Sequence, residues 1–93
     1  MKKINLGQKD IIHFVGIGGI GMSGLALIMN NMGFKIQGSD QNKNNNTISC
    51  SKSGIKIFFG HNAANAQKAN ILVKSSAIKS NNVELKYARK NKI

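Results

Sequence analysis

The sequence predicts an α/β fold, an open parallel sheet of four strands with helices on both faces. Three observations carry this. Short β-branched apolar runs alternate with stretches of helical spacing, and glycines punctuate the joins. The chain holds no proline and a single cysteine, so no disulfide framework replaces a packed core. At 93 residues and 41% hydrophobic content it forms one domain, 1–93, with one core. It is too short for a two-domain enzyme.

Ile11-Ile12-His13-Phe14-Val15 is a nearly continuous apolar run, as expected of a strand covered on both faces. His13 reads as a buried, satisfied histidine within it. Residues 19–32 place Ile20, Leu25, Leu27, Ile28, Met29 and Met32 at helical spacing, with Gly33 as the stop. Phe34-Lys35-Ile36-Gln37-Gly38 alternates as a second strand, followed by a polar loop over 41–46. Residues 47–53 form a short helix closed by Gly54, and residues 55–59 a third strand. Residues 62–68 are short helical or irregular chain, residues 71–75 a fourth strand, and residues 82–91 a last helix. The order β-α-β-α-β-α-β-α implies right-handed crossovers in a parallel sheet. A fifth strand is expected directly after residue 93, so the domain reads as truncated at its C-terminal end.

The charge is lopsided, 14 Lys+Arg against 3 Asp+Glu. Thirteen of the basic residues are Lys and there are 13 Asn, a bias that A/T-rich codons explain. The lysines are dispersed, and few aromatics stand free to stack on bases, so no specific nucleic-acid partner is expected. Residues 11–29 carry no formal charge, close to the length of a membrane span. Five glycines at 16, 18, 19, 21 and 24 break that run, each costing a helix interior about 1 kcal/mol. Strand, turn and helix fit better than a membrane segment. Residues 1–8 lack an apolar signal core, and a lone Cys50 suits a reducing cytoplasm as a structural thiol.

The sharpest motif is Gly16-Ile17-Gly18-Gly19-Ile20-Gly21, a G-x-G-x-x-G that closes the first strand and opens the first helix. On this pattern Gly16 makes the tight turn, Gly18 admits a diphosphate close to backbone, and Gly21 lets helix pack on strand. Amide N–H groups and the helix dipole then face an anion. Asp40 ends the second strand in Gly38-Ser39-Asp40, where a carboxylate accepts from a ribose hydroxyl in dinucleotide folds. His61 and Ser75-Ser76-Ala77 fall at the carboxyl ends of the third and fourth strands, on the same edge. The fold is thus Rossmann-like, and NAD, FAD or a nucleotide-sugar fit the spacing equally.

The stretch His13-Phe14-Val15-Gly16-Ile17-Gly18-Gly19-Ile20-Gly21-Met22-Ser23-Gly24 closely resembles the amino-terminal signature of the Mur ligases. The resemblance continues through Gly38-Ser39-Asp40, residues 54–61, residues 73–78 and Asn82-Val83-Glu84-Leu85, nearly the whole chain. It is to members that attach L-alanine to the lactyl carboxylate of UDP-N-acetylmuramate with ATP hydrolysis, in cytoplasmic peptidoglycan synthesis. It implies that this chain is the UDP-sugar-binding first of three domains. Gly16, Gly18, Gly19, Ile20, Gly21 and Met22, with Ser75, Ser76 and Ala77, would border the diphosphate. Ser39, Asp40 and His61 would sit at the uridine. ATP and magnesium belong to a central domain and the amino acid to a C-terminal one. The G-x-x-G-K-[ST] loop is absent from these 93 residues, so neither cofactor, metal ligand nor catalytic residue is expected here, and the chain alone should bind without catalysing. A tripeptide-recycling ligase of the same family is an alternative within the class. An NAD(P)-binding domain of an oxidoreductase is the alternative outside it.

Overall fold

A computed structural model describes residues 9–93. The signal-core reading fell on residues 1–8 and lies outside them. Strands β1 (Ile11–Val15), β2 (Lys35–Asp40), β3 (Lys56–Phe59) and β4 (Ile71–Lys74) form one parallel sheet in the order β3-β2-β1-β4. Helices α1 (Met22–Asn31) and α2 (Asn45–Lys52) and a 3₁₀ turn (Ala63–Ala66) fill the crossovers, and helix α3 (Val83–Lys90) follows β4. Each expected element forms, β1 with the expected bounds and the others within three residues of them. Chain direction across the sheet reverses between β1 and β4, the switch point where open α/β sheets hold ligands.

The two faces of the sheet carry different chemistry because side chains alternate along each strand. Ile12, Phe14 and Ile36 point to one face and pack with Met22 and Ala26 of α1, Cys50 of α2, and Ile17 and Ile55. Burying each of the larger side chains contributes about 1.5–3 kcal/mol. Cys50 is buried and its Sγ lies 3.9 Å from the Ser23 carbonyl, with burial pushing the thiol pKa up. The opposite face presents His13, Gln37 and Ser39, which meet α3 and the 3₁₀ turn through hydrogen bonds. His13 and Gln37 are register partners on neighbouring strands.

Among the described residues, no helix is long and apolar enough to cross a membrane. The polar stretch 41–46 departs from the expected plain loop. Asn44 caps α2 by accepting from the Thr47 amide, and the Thr47 hydroxyl accepts from the Asn44 amide in a capping box. Helix α2 therefore starts at Asn45 rather than Thr47. The side-chain amides of Asn44 and Asn46 also donate to the Gly18 carbonyl. A segment that reads as composition bias fastens the glycine loop.

Candidate functional site

A cleft of about 710 Å³ opens at the carboxyl ends of the strands. The loop after β1 contributes Gly16 and Gly19, and the end of β2 contributes Asp40 with Gln41 and Asn42. His61 follows β3, and the connection from β4 to α3 supplies Ser75, Ala77, Lys79 and neighbours up to Val83. Six of the residues assigned from sequence thus share one cavity: Gly16, Gly19, Asp40, His61, Ser75 and Ala77. Lys79 adds a cation there that the sequence patterns did not single out.

The glycine loop is built by backbone hydrogen bonds. Gly16 turns the chain at φ +81°, and the amides of Gly16 and Ile17 both donate to the Ser39 carbonyl, at 2.8 and 3.0 Å. An L side chain rarely adopts that φ. The Gly19 amide donates to the Gly16 carbonyl and the Met22 amide to the Gly19 carbonyl. No acceptor among the described residues pairs with the Ile20 and Gly21 amides. Helix α1 also lacks a side-chain cap at Gly21, whereas Asn44, Asn62 and Asn82 cap the other helical segments. The α1 N-terminus therefore keeps donors and dipole available to an anion.

Two glycine roles differ from the spacing argument. The place of a Cβ on Gly18 is taken by Asp40 Oδ2 at 2.8 Å, Thr47 Cγ2 at 2.9 Å and Asn44 Nδ2 at 3.0 Å. Its amide donates to Asp40 Oδ2 at 2.8 Å. Gly18 thus makes room for the β2–α2 corner, and its N–H is spent inside the protein. A Cβ on Gly21 would meet nothing within 4 Å, so this glycine serves its φ of +83° rather than helix–strand contact.

Other assigned residues stand off the cleft wall. Ile20 is fully exposed, Met22 packs in the core, and Ser76 is exposed outside the lining. Ser39 is fully buried beneath the cleft, where its carbonyl holds the glycine loop and its hydroxyl donates to Glu84. Asp40 accepts from the Gly18 amide and, through Oδ1, from the Asn42 amide at 3.1 Å. It braces the loop as well as lining the cavity.

Glu84 is the residue the motifs missed. Its carboxylate is fully buried and five donors converge on it. Oε1 accepts from His13 Nε2 and Ser39 Oγ, both at 2.6 Å. Oε2 accepts from His61 Nδ1 at 3.1 Å, the Asn62 amide at 3.1 Å and Asn65 Nδ2 at 3.0 Å. Burial alone would raise its pKa. Hydrogen bonds from His13, Ser39 and Asn65 outweigh burial and hold it at about 2 against an ordinary 4.5. Gln37 Nε2 donates to both His13 Nδ1 and the Asn65 carbonyl, so His13 carries its proton on Nε2, toward Glu84. His13 is the satisfied buried histidine expected, and its partner is the first-turn acid of α3.

Among the described residues, no three or more His, Cys, Asp or Glu are arranged to hold a metal ion. The atoms that His13, His61 and Glu84 turn toward one another are spent on mutual hydrogen bonds. The donor set does not fit magnesium.

Residues 11–93 match the family model described as Mur ligase family, catalytic domain. The chain is 56% identical over 84 residues to the UDP-N-acetylmuramate–L-alanine ligase of Wolbachia sp. subsp. Brugia malayi (strain TRS), covering 90% of this chain and 16% of that protein. It is 59% identical over 87 residues to the enzyme of the same name from Pelagibacter ubique (strain HTCC1062), covering 94% and 19%. A UDP-N-acetylmuramate–alanine ligase structure from Thermotoga maritima superposes with a TM-score of 0.84 at 39% identity, covering 88% of this chain and 19% of that one. The Neisseria meningitides UDP-N-acetylmuramate:L-alanyl-gamma-D-glutamyl-meso-diaminopimelate ligase gives 0.82 at 28%, covering 90% and 27%. The chain spans less than a fifth of the length of these two curated relatives. With a parallel α/β sheet, a glycine loop at its switch point and a family match over nearly every described residue, the chain belongs to the Mur ligase family.

Proposed function

We propose that this chain is the UDP-N-acetylmuramate-binding, amino-terminal domain of a ligase that adds L-alanine to that substrate in cytoplasmic peptidoglycan synthesis. One observation carries the reading: the glycine loop that leads into the uncapped start of α1 lines, through Gly16 and Gly19, one cleft with Asp40, His61, Ser75 and Ala77. A diphosphate suits the unpaired amides of Ile20 and Gly21, with Lys79 as a cation on the wall. Asp40 and His61 lie where the nucleoside end would reach. Identity favours the alanine-adding member, 39% to its solved structure against 28% to the tripeptide ligase. The NAD(P) alternative would use the same glycine loop, but the relatives point to ligases.

Parallel calorimetric titrations with UDP-N-acetylmuramate, NADH and a DNA oligonucleotide, at two salt concentrations, test the reading. UDP-N-acetylmuramate is expected to bind with a shallow salt dependence, because fixed N–H donors hold it. DNA retention at a formal charge of +11 should fall steeply with salt as counterions are released. NADH binding in preference to the UDP-sugar would sink the proposal in favour of the oxidoreductase reading.

Catalysis is assigned to further ligase domains that would hold ATP, magnesium and the amino acid. The 93-residue chain alone is expected to release no phosphate from ATP when given UDP-N-acetylmuramate and L-alanine. Substrate-dependent phosphate release, followed colorimetrically, would overturn that assignment.

A further inference from the structure

His61 is held from behind and open in front. Its Nδ1 lies 3.1 Å from Glu84 Oε2 and 3.2 Å from Ser39 Oγ. Glu84 is an ionised, fully buried acceptor. The Ser39 hydroxyl spends its one proton on Glu84 Oε1 at 2.6 Å, which leaves its oxygen able only to accept. Both neighbours of Nδ1 therefore demand a proton from it. Nε2 has no partner among the described residues, and no buried side-chain nitrogen is left unpaired, so Nε2 is reached by solvent. His61 lines the cleft, and Nε2 is the ring nitrogen it has to offer there.

We propose that Glu84 is a positioning residue that fixes His61 as the Nδ1–H ring, so that Nε2 stands in the cleft as a hydrogen-bond acceptor. A lone pair at that point rejects phosphate oxygens and takes an N–H or O–H. In a uridine diphosphate those donors are the base imide and the ribose hydroxyls. His61 therefore selects the nucleoside half of the ligand, leaving the diphosphate to the amides of the glycine loop. This second clause rests on the UDP reading above, and the first does not.

The link also explains a feature of the architecture. Glu84 sits on α3, next in chain to the cleft residues Asn82 and Val83, and reaches across to His13 on β1 and Ser39 on β2. One carboxylate therefore ties the wall formed by the β4–α3 connection to the ring that reads the ligand. Other charged or titratable groups around this point are His13, already donating to Glu84, and Asp40 and Lys79 on the cleft wall.

Nitrogen-15 NMR of the histidine rings in the 93-residue chain, at neutral pH, tests the first clause without any ligand. His61 is expected as the Nδ1–H form and His13 as Nε2–H, two opposite tautomers in one protein. An Nε2–H ring at His61 would overturn the proposal. E84Q should release the tautomer of His61 and weaken UDP about tenfold, the loss of one well-placed hydrogen bond. Should E84Q not fold, the wild-type tautomer decides alone. The second clause is read from the His61 Nε2 resonance during titration with UDP and with inorganic pyrophosphate. A shift with UDP alone is expected, and an equal shift with pyrophosphate would overturn the selection of the nucleoside. If UDP does not bind at all, the nucleotide reading and the second clause fall together, while the tautomer still settles the role of Glu84.

Discussion

Glu84→Ala should lower the stability of the chain by about 3–5 kcal/mol, the cost of leaving a buried charged network without its acceptor. Five donors lose their partner at once, two of them at 2.6 Å. Each buried donor left unpaired costs its desolvation, and the acid at the centre of the network is fully buried. A small domain has about 5–15 kcal/mol in total, so this loss removes a large fraction of the stability. Urea denaturation of both proteins measures the difference. A loss under about 1 kcal/mol would show that the network contributes no more than a surface ion pair.

The same residue gives the pH dependence its sign. The folded pKa of about 2 lies below the ordinary 4.5, so the native state favours the ionised form. That contribution is complete above about pH 4.5, and is lost as pH falls toward 2, when the carboxyl must protonate. The shift corresponds to about 3 kcal/mol. Only Asp10 and Asp40 accompany Glu84 as acids in the sequence, so the wild-type curve between pH 5 and 2 should be dominated by this group. In the alanine variant that part of the curve should flatten.

How far these features could be read from the sequence depends on how local their causes are. The strands were legible because β-branched runs report burial directly, and Ile12 and Phe14 pack as that pattern requires. The first helix was legible as an element but not in its buried face: Ile20, Leu25, Ile28 and Met32 are exposed, and α1 buries Met22, Ser23 and Ala26 instead, because small residues let it lie close on the sheet. The sharing of one cleft by Gly16, Asp40, His61 and Ser75 was legible because parallel strands bring their carboxyl ends to one edge. Glu84 was not. In the sequence it is an ordinary acid in the first turn of a helix, where the dipole alone accounts for it. The signal was on the other side, in a histidine set within an apolar strand, because such a ring needs a partner that spacing cannot name. Gln37 and Ser39 gave the same hint, as polar positions on a strand whose two faces are both covered. The roles of Asn44 and Asn46 were hidden for the opposite reason, since an asparagine run reads as composition until the loop it fastens is known.

Gly18→Val discriminates between what the motif suggests and what the structure shows. If the missing side chain only made room for a diphosphate, valine would abolish UDP binding and leave the fold unchanged. The structure places Asp40, Thr47 and Asn44 at 2.8, 2.9 and 3.0 Å from the new Cβ, the first two closer than real Cβ contacts allow and the third tighter than most. None of the three is a free side-chain end. Asp40 is tied to the amides of Gly18 and Asn42, and Asn44 and Thr47 form the capping box of α2. Valine must push this corner outward, at about 1–3 kcal/mol for overpacking and up to about 1 kcal/mol more as the cap is pulled apart. We expect a lower urea midpoint together with loss of UDP binding, because the loop that aims the Ile20 and Gly21 amides is pinned by those same bonds. Asp40→Ala, which removes the brace without adding bulk, should lower the midpoint by less. A Gly18→Val protein with the wild-type midpoint and no UDP affinity would return Gly18 to the ligand-facing role, and would show that the β2–α2 corner yields more easily than its hydrogen bonds imply.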